Sequence, residues 1–169
     1  YRGAAYLKKG DLDAAEKDLT DALKQSPDSA GAHAYMGGVY VERQMPDKAI
    51  EELNKALTLN PLLTAARIYR GRAYLQKKDE KRGLEELDAA VRLEPDNPLV
   101  YQARGQIYVS LKQPEKAAAD FRACKLLDPF AQCTGTMAIP QTAAPAKPAT
   151  QTASKPAPVK AQPKPQAKA

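Results

Sequence analysis

The sequence predicts an all-α fold, an α-α superhelix of paired helices, followed by a disordered C-terminal tail. One observation behind this prediction is a repeat, because residues of the same type recur every 34 positions in the 169-residue chain. The other observation is a change of composition after residue 133. Glycine, tyrosine and proline each fill one column of the repeat, at Gly3, Gly37, Gly71, Gly105; Tyr6, Tyr40, Tyr74, Tyr108; and Pro27, Pro61, Pro95, Pro129.

Each repeat predicts two helices. In the second unit we expect the first helix at residues 30–43 and the second at 46–59. Pro46 suits the first turn of a helix, where its missing N–H has no partner to lose. Pro61 ends the second helix, because a residue before proline avoids the α region. Small columns such as Ala22, Ala56, Ala90 indicate close helix packing, so leucine at Gly71 or Ala56 should overpack the fold.

The chain divides into a repeat domain at 1–133 and a tail at 134–169. The four units are predicted at about 1–29, 30–63, 64–97 and 98–133. The tail has five lysines and no acidic residue, and therefore carries most of the net charge of +6. A nucleic-acid-binding domain with a basic face is not indicated. The tail is rich in alanine and proline and poor in large apolar residues, which predicts disorder.

The sequence gives no support for catalysis. His33 is the only histidine, so a catalytic triad and His-based metal sites are nearly excluded. Neither a phosphate-binding loop nor a dinucleotide-binding motif occurs. We expect no metal, no cofactor and no specific nucleic acid, and no apolar run is long enough to cross a membrane.

The columns resemble the tetratricopeptide repeat family. In the second unit the positions of the family pattern are occupied by His33, Met36-Gly37, Tyr40, Ala49, Leu53 and Pro61. Departures are Gly83, where the family has alanine, and His33 and Arg67, where it has an aromatic residue. The resemblance covers residues 1–129 and implies a right-handed solenoid whose first helices form a concave, non-catalytic binding face.

The resemblance also supplies candidate groove residues. Cochaperones of this family bind terminal carboxylates with a charged clamp, but the equivalent positions here are Ala34, Gly38, Tyr69, Leu99 and Ala103. The register also places Lys8 and Ala65 on this face. We predict a groove for an uncharged or weakly acidic peptide, with Arg72 to orient an acidic or backbone group. Its candidate lining is Tyr35, Gly38, Val41, Glu42, Ile68, Tyr69, Arg72, Leu75, Gln76, Gln102 and Gln106.

Two features of these helices have simpler interpretations. The tyrosine column of Tyr35 and Tyr69 could only pack between adjacent repeats and leave no groove. Arg67, Arg70 and Arg104 could form an anion patch, although we expect their stems to cover apolar surface while the heads reach water.

Cys124 and Cys133 raise a second question of structure. A disulfide between them would hold the segment after Pro129 over the open end of the last repeat, and would indicate an oxidising compartment. The alternative is one buried thiol and one unrelated exposed thiol.

Together these observations predict a non-catalytic scaffold that binds a peptide or partner subunit. The bacterial periplasm or cell envelope is the favoured location, in the assembly of an envelope complex, and the cytoplasm is the alternative. Alternative functions are a structural or homo-oligomeric repeat module and an adaptor segment whose activity lies upstream of Tyr1, since we expect the chain to be a fragment or a processed protein. The tail is either a plain linker or a weak contact with an anionic polymer or membrane surface.

Overall fold

A computed structural model describes residues 2–131 and residue 133 of the chain. These residues form eight helices and no strand, so the all-α prediction is confirmed. The disorder predicted for 134–169 lies outside the described residues. The helices are α1 (Arg2–Lys9), α2 (Leu12–Gln25), α3 (Ala30–Glu42), α4 (Pro46–Leu59), α5 (Thr64–Gln76), α6 (Glu80–Leu93), α7 (Pro98–Ser110) and α8 (Pro114–Leu127).

The helix boundaries follow from local chemistry. Asp11, Ser29 and Asp79 each accept a hydrogen bond from a backbone N–H of the following helix, which satisfies a donor that the first turn leaves open. Pro46 and Pro114 occupy the first position of α4 and α8, as predicted for helix starts. The predicted second helix of unit 2 has the observed bounds, and the first ends one residue earlier than predicted.

The turn inside each hairpin contains a residue with a left-handed backbone. Gly10 has φ 79°, and Gln44, Lys78 and Lys112 have φ between 56° and 58°. These four residues are also 34 positions apart. The repeat therefore fixes the turn as well as the helices, although three of its four positions lack the glycine that this conformation favours.

Inside each hairpin, a glycine of the first helix faces a large side chain of the second. A Cβ atom on Gly37 would lie 2.5 Å from Cγ of Leu53. At Gly71 it would also lie 3.2 Å from the carbonyl oxygen of Gly83, so the two backbones approach closely in unit 3. A Cβ atom on Gly83 itself would lie 2.9 Å from Cδ1 of Ile107, so glycine at this position leaves room for a core side chain of α7.

The hairpins pack in chain order. Each second helix contacts the next first helix, and the first helices α1, α3, α5 and α7 contact one another in succession. Fully buried residues such as Leu53, Val39 and Ile107 form the core between them. Within the described residues, no helix is long and apolar enough to cross a membrane.

Candidate functional site: a groove on the first helices

Three first helices together form a pocket with a volume of about 330 Å³. Helix α1 contributes one lysine, α5 contributes four residues and α7 contributes three. We call this pocket and its rim the groove. Its lining residues are Lys8, Ala65, Ile68, Tyr69, Arg72, Leu99, Gln102 and Ala103.

The apolar wall of the groove includes one large exposed side chain. Leu99 keeps 54% of its surface exposed, whereas Ile68 beside it is buried apart from the part that lines the pocket. Ala65 and Ala103 are small, which leaves the space open. An apolar side chain of a ligand could therefore cover Leu99 and lose contact with water there.

Tyr69 connects the groove to the packing between repeats. A Cβ atom on Gly38 would lie 2.9 Å from Cζ of Tyr69 and 2.9 Å from Cδ2 of Leu7, so the ring fills the space above this glycine. Burial raises the pKa of the Tyr69 hydroxyl. Tyr69 thus packs between repeats and also lines the pocket, while Tyr35 packs against the cluster around Leu7.

Two cations line the groove in different electrostatic states. Arg72 forms an ion pair with Glu42 at 2.8 Å, so its charge is partly balanced. Lys8 is exposed and forms no ion pair within residues 2–131. The groove therefore offers one balanced and one unbalanced positive charge to a ligand.

Some of the predicted groove residues lie elsewhere. Val41 is fully buried in the core, where it presents no surface to a ligand, so its assignment to the groove is wrong. Gln76 donates a hydrogen bond of 2.8 Å to the Val41 carbonyl and thereby ties α5 to the end of α3. Leu75 packs against the cluster around Val100, and Gln106 is partly buried on α7 outside the pocket lining.

The repeat also contains a column of carboxylates that the sequence analysis did not single out. The acids are Asp18, Glu52, Glu86 and Asp120, again 34 positions apart. In three units an arginine 16 positions earlier binds the acid, at 2.5 Å from Arg2, 2.7 Å from Arg70 and 2.8 Å from Arg104. A search for opposite charges in fixed register would have found this column.

The second unit departs from this pattern. Met36 stands where the other units have arginine, and His33 binds the acid instead, with Nδ1 of His33 2.6 Å from Oε2 of Glu52. Burial would raise the pKa of Glu52, but hydrogen bonds from Lys55 and His33 outweigh it and keep this pKa below its usual value.

The arginines do not form an anion patch. Arg67 and Arg70 both bind Glu86, and Arg104 binds Asp88 and Asp120. Its carboxylate partners raise the pKa of Arg104, and the side chain is only 18% exposed. The expectation that these heads reach water is therefore corrected: the carboxylates of the neighbouring second helices hold them.

The unusual residues in the family's aromatic column share one role. Nε2 of His33 lies 2.8 Å from the Pro27 carbonyl, and Arg67 donates to the Pro61 carbonyl at 2.9 Å. The Tyr101 hydroxyl donates to the Pro95 carbonyl at 2.8 Å in the same register. A long polar side chain can therefore replace the aromatic residue and still close the turn between units.

The two cysteines lie at the end of the last hairpin. Cys124 and Cys133 are joined by a disulfide with their Cα atoms 5.9 Å apart, and both residues are buried. In the inner units this column is alanine, as at Ala56 and Ala90, and it is buried there too. In the last unit, the short segment after Pro129 provides the cover.

The fold and its groove define a repeat protein of stacked helical hairpins. Family models described as tetratricopeptide repeat match residues 6–62, 45–107 and 99–130. The chain belongs to the tetratricopeptide repeat family. Members of this family are generally non-catalytic modules that bind protein partners. Among curated proteins, no sequence matches the chain.

Several solved structures are similar. TTC0263, a thermophilic TPR protein of Thermus thermophilus, gives a TM-score of 0.68 at 20% identity, over 76% of this chain and 71% of that one. Pseudomonas aeruginosa PilF gives 0.65 at 27% identity, over 76% of this chain and 59% of PilF. MamA gives 0.59 at 24% identity, over 75% and 74% of the two chains. The chain therefore spans less than two thirds of PilF.

Proposed function

We propose that the chain is a scaffold that binds a peptide or a partner subunit in the groove. The observation that carries this proposal is the pocket itself, whose lining includes the exposed Leu99 and the cations Lys8 and Arg72. Apolar area supplies affinity and a few polar groups supply orientation in sites of this kind.

The chemistry of the lining favours a peptide that combines apolar and weakly acidic groups. The unbalanced charge of Lys8 attracts a carboxylate, and Gln102 adds a polar side chain to the lining. The Arg72–Glu42 pair disfavours a strongly anionic ligand, because the Glu42 carboxylate balances the arginine and repels further negative charge.

The proposal is tested by selecting peptides from a displayed library on the purified full chain and measuring affinities by fluorescence anisotropy. We expect Leu99→Ser and Lys8→Ala to weaken selected peptides at least about tenfold each. The matched control is Leu62→Ser, an exposed leucine outside the groove. Peptides that bind the Leu99→Ser and Lys8→Ala variants as well as the wild type would contradict the groove assignment.

We also propose that the protein works in an oxidising compartment, with the bacterial envelope favoured. The buried disulfide and the Lys/Pro/Ala composition of residues 134–169 support this location. Counting free thiols in the unreduced, denatured protein should give none, and cell fractionation should place the protein outside the cytoplasm. Two reactive thiols would argue for the cytoplasm.

Two other functions remain alternatives to the groove scaffold. A structural, homo-oligomeric module would show concentration-dependent size in light scattering with no effect of Leu99→Ser. An adaptor segment of a larger enzyme would show activity only as part of that enzyme. Neither alternative makes use of the open pocket.

A further inference from the structure

The end of the last hairpin carries apolar residues where the other units carry mostly polar ones. Leu126 is 84% exposed and Phe130 is 96% exposed. The residues in the same register as Leu126 are Lys24, Thr58 and Arg92, and those in the register of Phe130 are Asp28, Leu62 and Asp96. Large exposed apolar residues grouped at one site indicate a contact surface.

Phe130 is held in its exposed position. Its backbone N–H donates to Oδ1 of Asp128 at 3.0 Å, and Ala131 N–H donates to the Asp128 carbonyl at 3.1 Å. The disulfide of Cys133 to Cys124 then fixes the far end of this turn on α8. The ring is thus presented to solvent by an ordered turn, whose backbone does not need ordering on binding.

Two cations lie close to Leu126 on α8. Arg122 lies one helical turn before Leu126 and Lys125 directly precedes it; both are exposed, and neither forms an ion pair within residues 2–131. Beyond Cys133, the sequence adds five lysines and no acid. The exposed residues Arg122, Lys125, Leu126 and Phe130 at the end of the last hairpin, which we call the end patch, are therefore cationic as well as apolar.

The end patch is unsuited to receiving another hairpin of the same kind. In the inner units, Asn54 and Asp88 accept hydrogen bonds from the arginines of the next first helix, and Arg122 stands in that register. Lys125 similarly stands in the register of Leu57 and Val91, which pack in the core clusters. A stacked second copy would place cations where the inner units place acceptors and apolar residues.

We propose that the end patch docks the protein on an anionic lipid surface. Leu126 and Phe130 would enter the interface between headgroups and acyl chains, while Arg122 and Lys125 would bind the anionic headgroups. Apolar insertion and electrostatic attraction are the two contributions that peripheral membrane binding requires. An anionic polymer would use the cations but give no role to two exposed apolar side chains.

The test is co-sedimentation of the full chain with vesicles of phosphatidylglycerol and phosphatidylcholine, and with vesicles of phosphatidylcholine alone. Wild-type protein should bind the anionic vesicles, and added salt should weaken the binding. Leu126→Ser with Phe130→Ser should reduce partitioning at least about tenfold. Leu62→Ser is the matched control, because Leu62 is 69% exposed, shares the register of Phe130, and should leave binding unchanged.

Three results would overturn the proposal. They are equal binding to neutral vesicles, no binding to anionic vesicles, and unchanged binding of the double serine variant.

Sedimentation velocity of the same variants adds a further check, because a loss of self-association without an effect on vesicles would assign the end patch to a second copy. Circular dichroism shows whether the double variant is folded, and the conservative Phe130→Leu should retain binding. A further variant, in which glutamine replaces the five tail lysines, distinguishes the contribution of the tail charge to vesicle binding from that of the cations on α8.

Discussion

The interior of the hairpins and the groove differ in how closely they follow the repeat. In the interior, a glycine faces a leucine or phenylalanine in every unit, and an acid occupies the same column throughout. In the groove, the register of Arg72 contains Gly38 and Gln106, and that of Leu99 contains Ala65. Periodic positions therefore build each hairpin, while the positions that vary between units are available to determine what the protein binds.

The largest effect is expected from removing a periodic core side chain. Leu53→Ala empties a fully buried site against Gly37 and should lower the free energy of unfolding by about 2–5 kcal/mol. Urea denaturation followed by circular dichroism measures this loss. Leu62→Ala in the same unit is the control and should change stability by less than about 0.5 kcal/mol, because that side chain is exposed. A similar loss in both variants would mean that the interior does not dominate stability.

A smaller loss is expected from breaking the carboxylate column. Asp120 is 5% exposed and accepts two hydrogen bonds from Arg104, so Asp120→Ala should cost about 1–3 kcal/mol in the same denaturation experiment. The control is Asp47→Ala, whose ion pair with Lys77 is exposed and should contribute less than about 1 kcal/mol. Equal effects would show that the buried column adds nothing beyond an ordinary surface pair.

At the four left-handed turn residues, substitutions should change stability through backbone preference alone. At Gly10 a Cβ atom would meet no other atom within 4 Å, so the cost of Gly10→Ala comes from the left-handed φ and should be about 1 kcal/mol. The reverse change, Lys112→Gly, should raise the melting temperature slightly, because glycine adopts this conformation without the Cβ clash. If the Gly10→Ala variant were as stable as the wild type, the turn would have to change its backbone conformation to accept the alanine.

The smallest effect is a pH dependence in unit 2. Because the pKa of Glu52 is lower in the folded protein than the ordinary value of 4.5, its contribution is complete above that value and is lost as the pH falls through the folded pKa. Wild-type protein should therefore lose more stability than Glu52→Gln when the pH is lowered across this range. Parallel stability curves for the two proteins would contradict the role of the His33–Glu52–Lys55 cluster.

The hairpins could be predicted from the sequence because the residues that mark their helices recur in every unit. Pro46 and Pro61 bounded a helix that the structure reproduces, and the columns of small residues indicated the close helix packing that the structure shows at Gly37. Assigning the groove was harder, because a family register places a side chain on a face but does not say how deeply the neighbouring repeat covers it. Val41 lies on the predicted helix and is nevertheless buried completely.

Two further features were hard to predict for different reasons. The carboxylate column contains both aspartate and glutamate, and Met36 interrupts the column of arginine partners, so a search for identical residues at a fixed period did not reveal it. The end patch is a departure from the repeat, and such departures have no meaning until the exposure of Leu126 and Phe130 is known. Pair geometry and solvent exposure are properties of the folded chain.

The placement of Arg122 constrains how this protein could grow by gene duplication. If the last hairpin were copied in tandem, the copied equivalent of Arg104 would meet Arg122 where Arg104 now meets Asp88. Like charges at this distance repel each other, so the new joint would be weaker than the existing ones. Copying the third hairpin after itself avoids this conflict, because the copied Arg70 would meet Asp88, and lengthened descendants would therefore be expected to gain units in the middle.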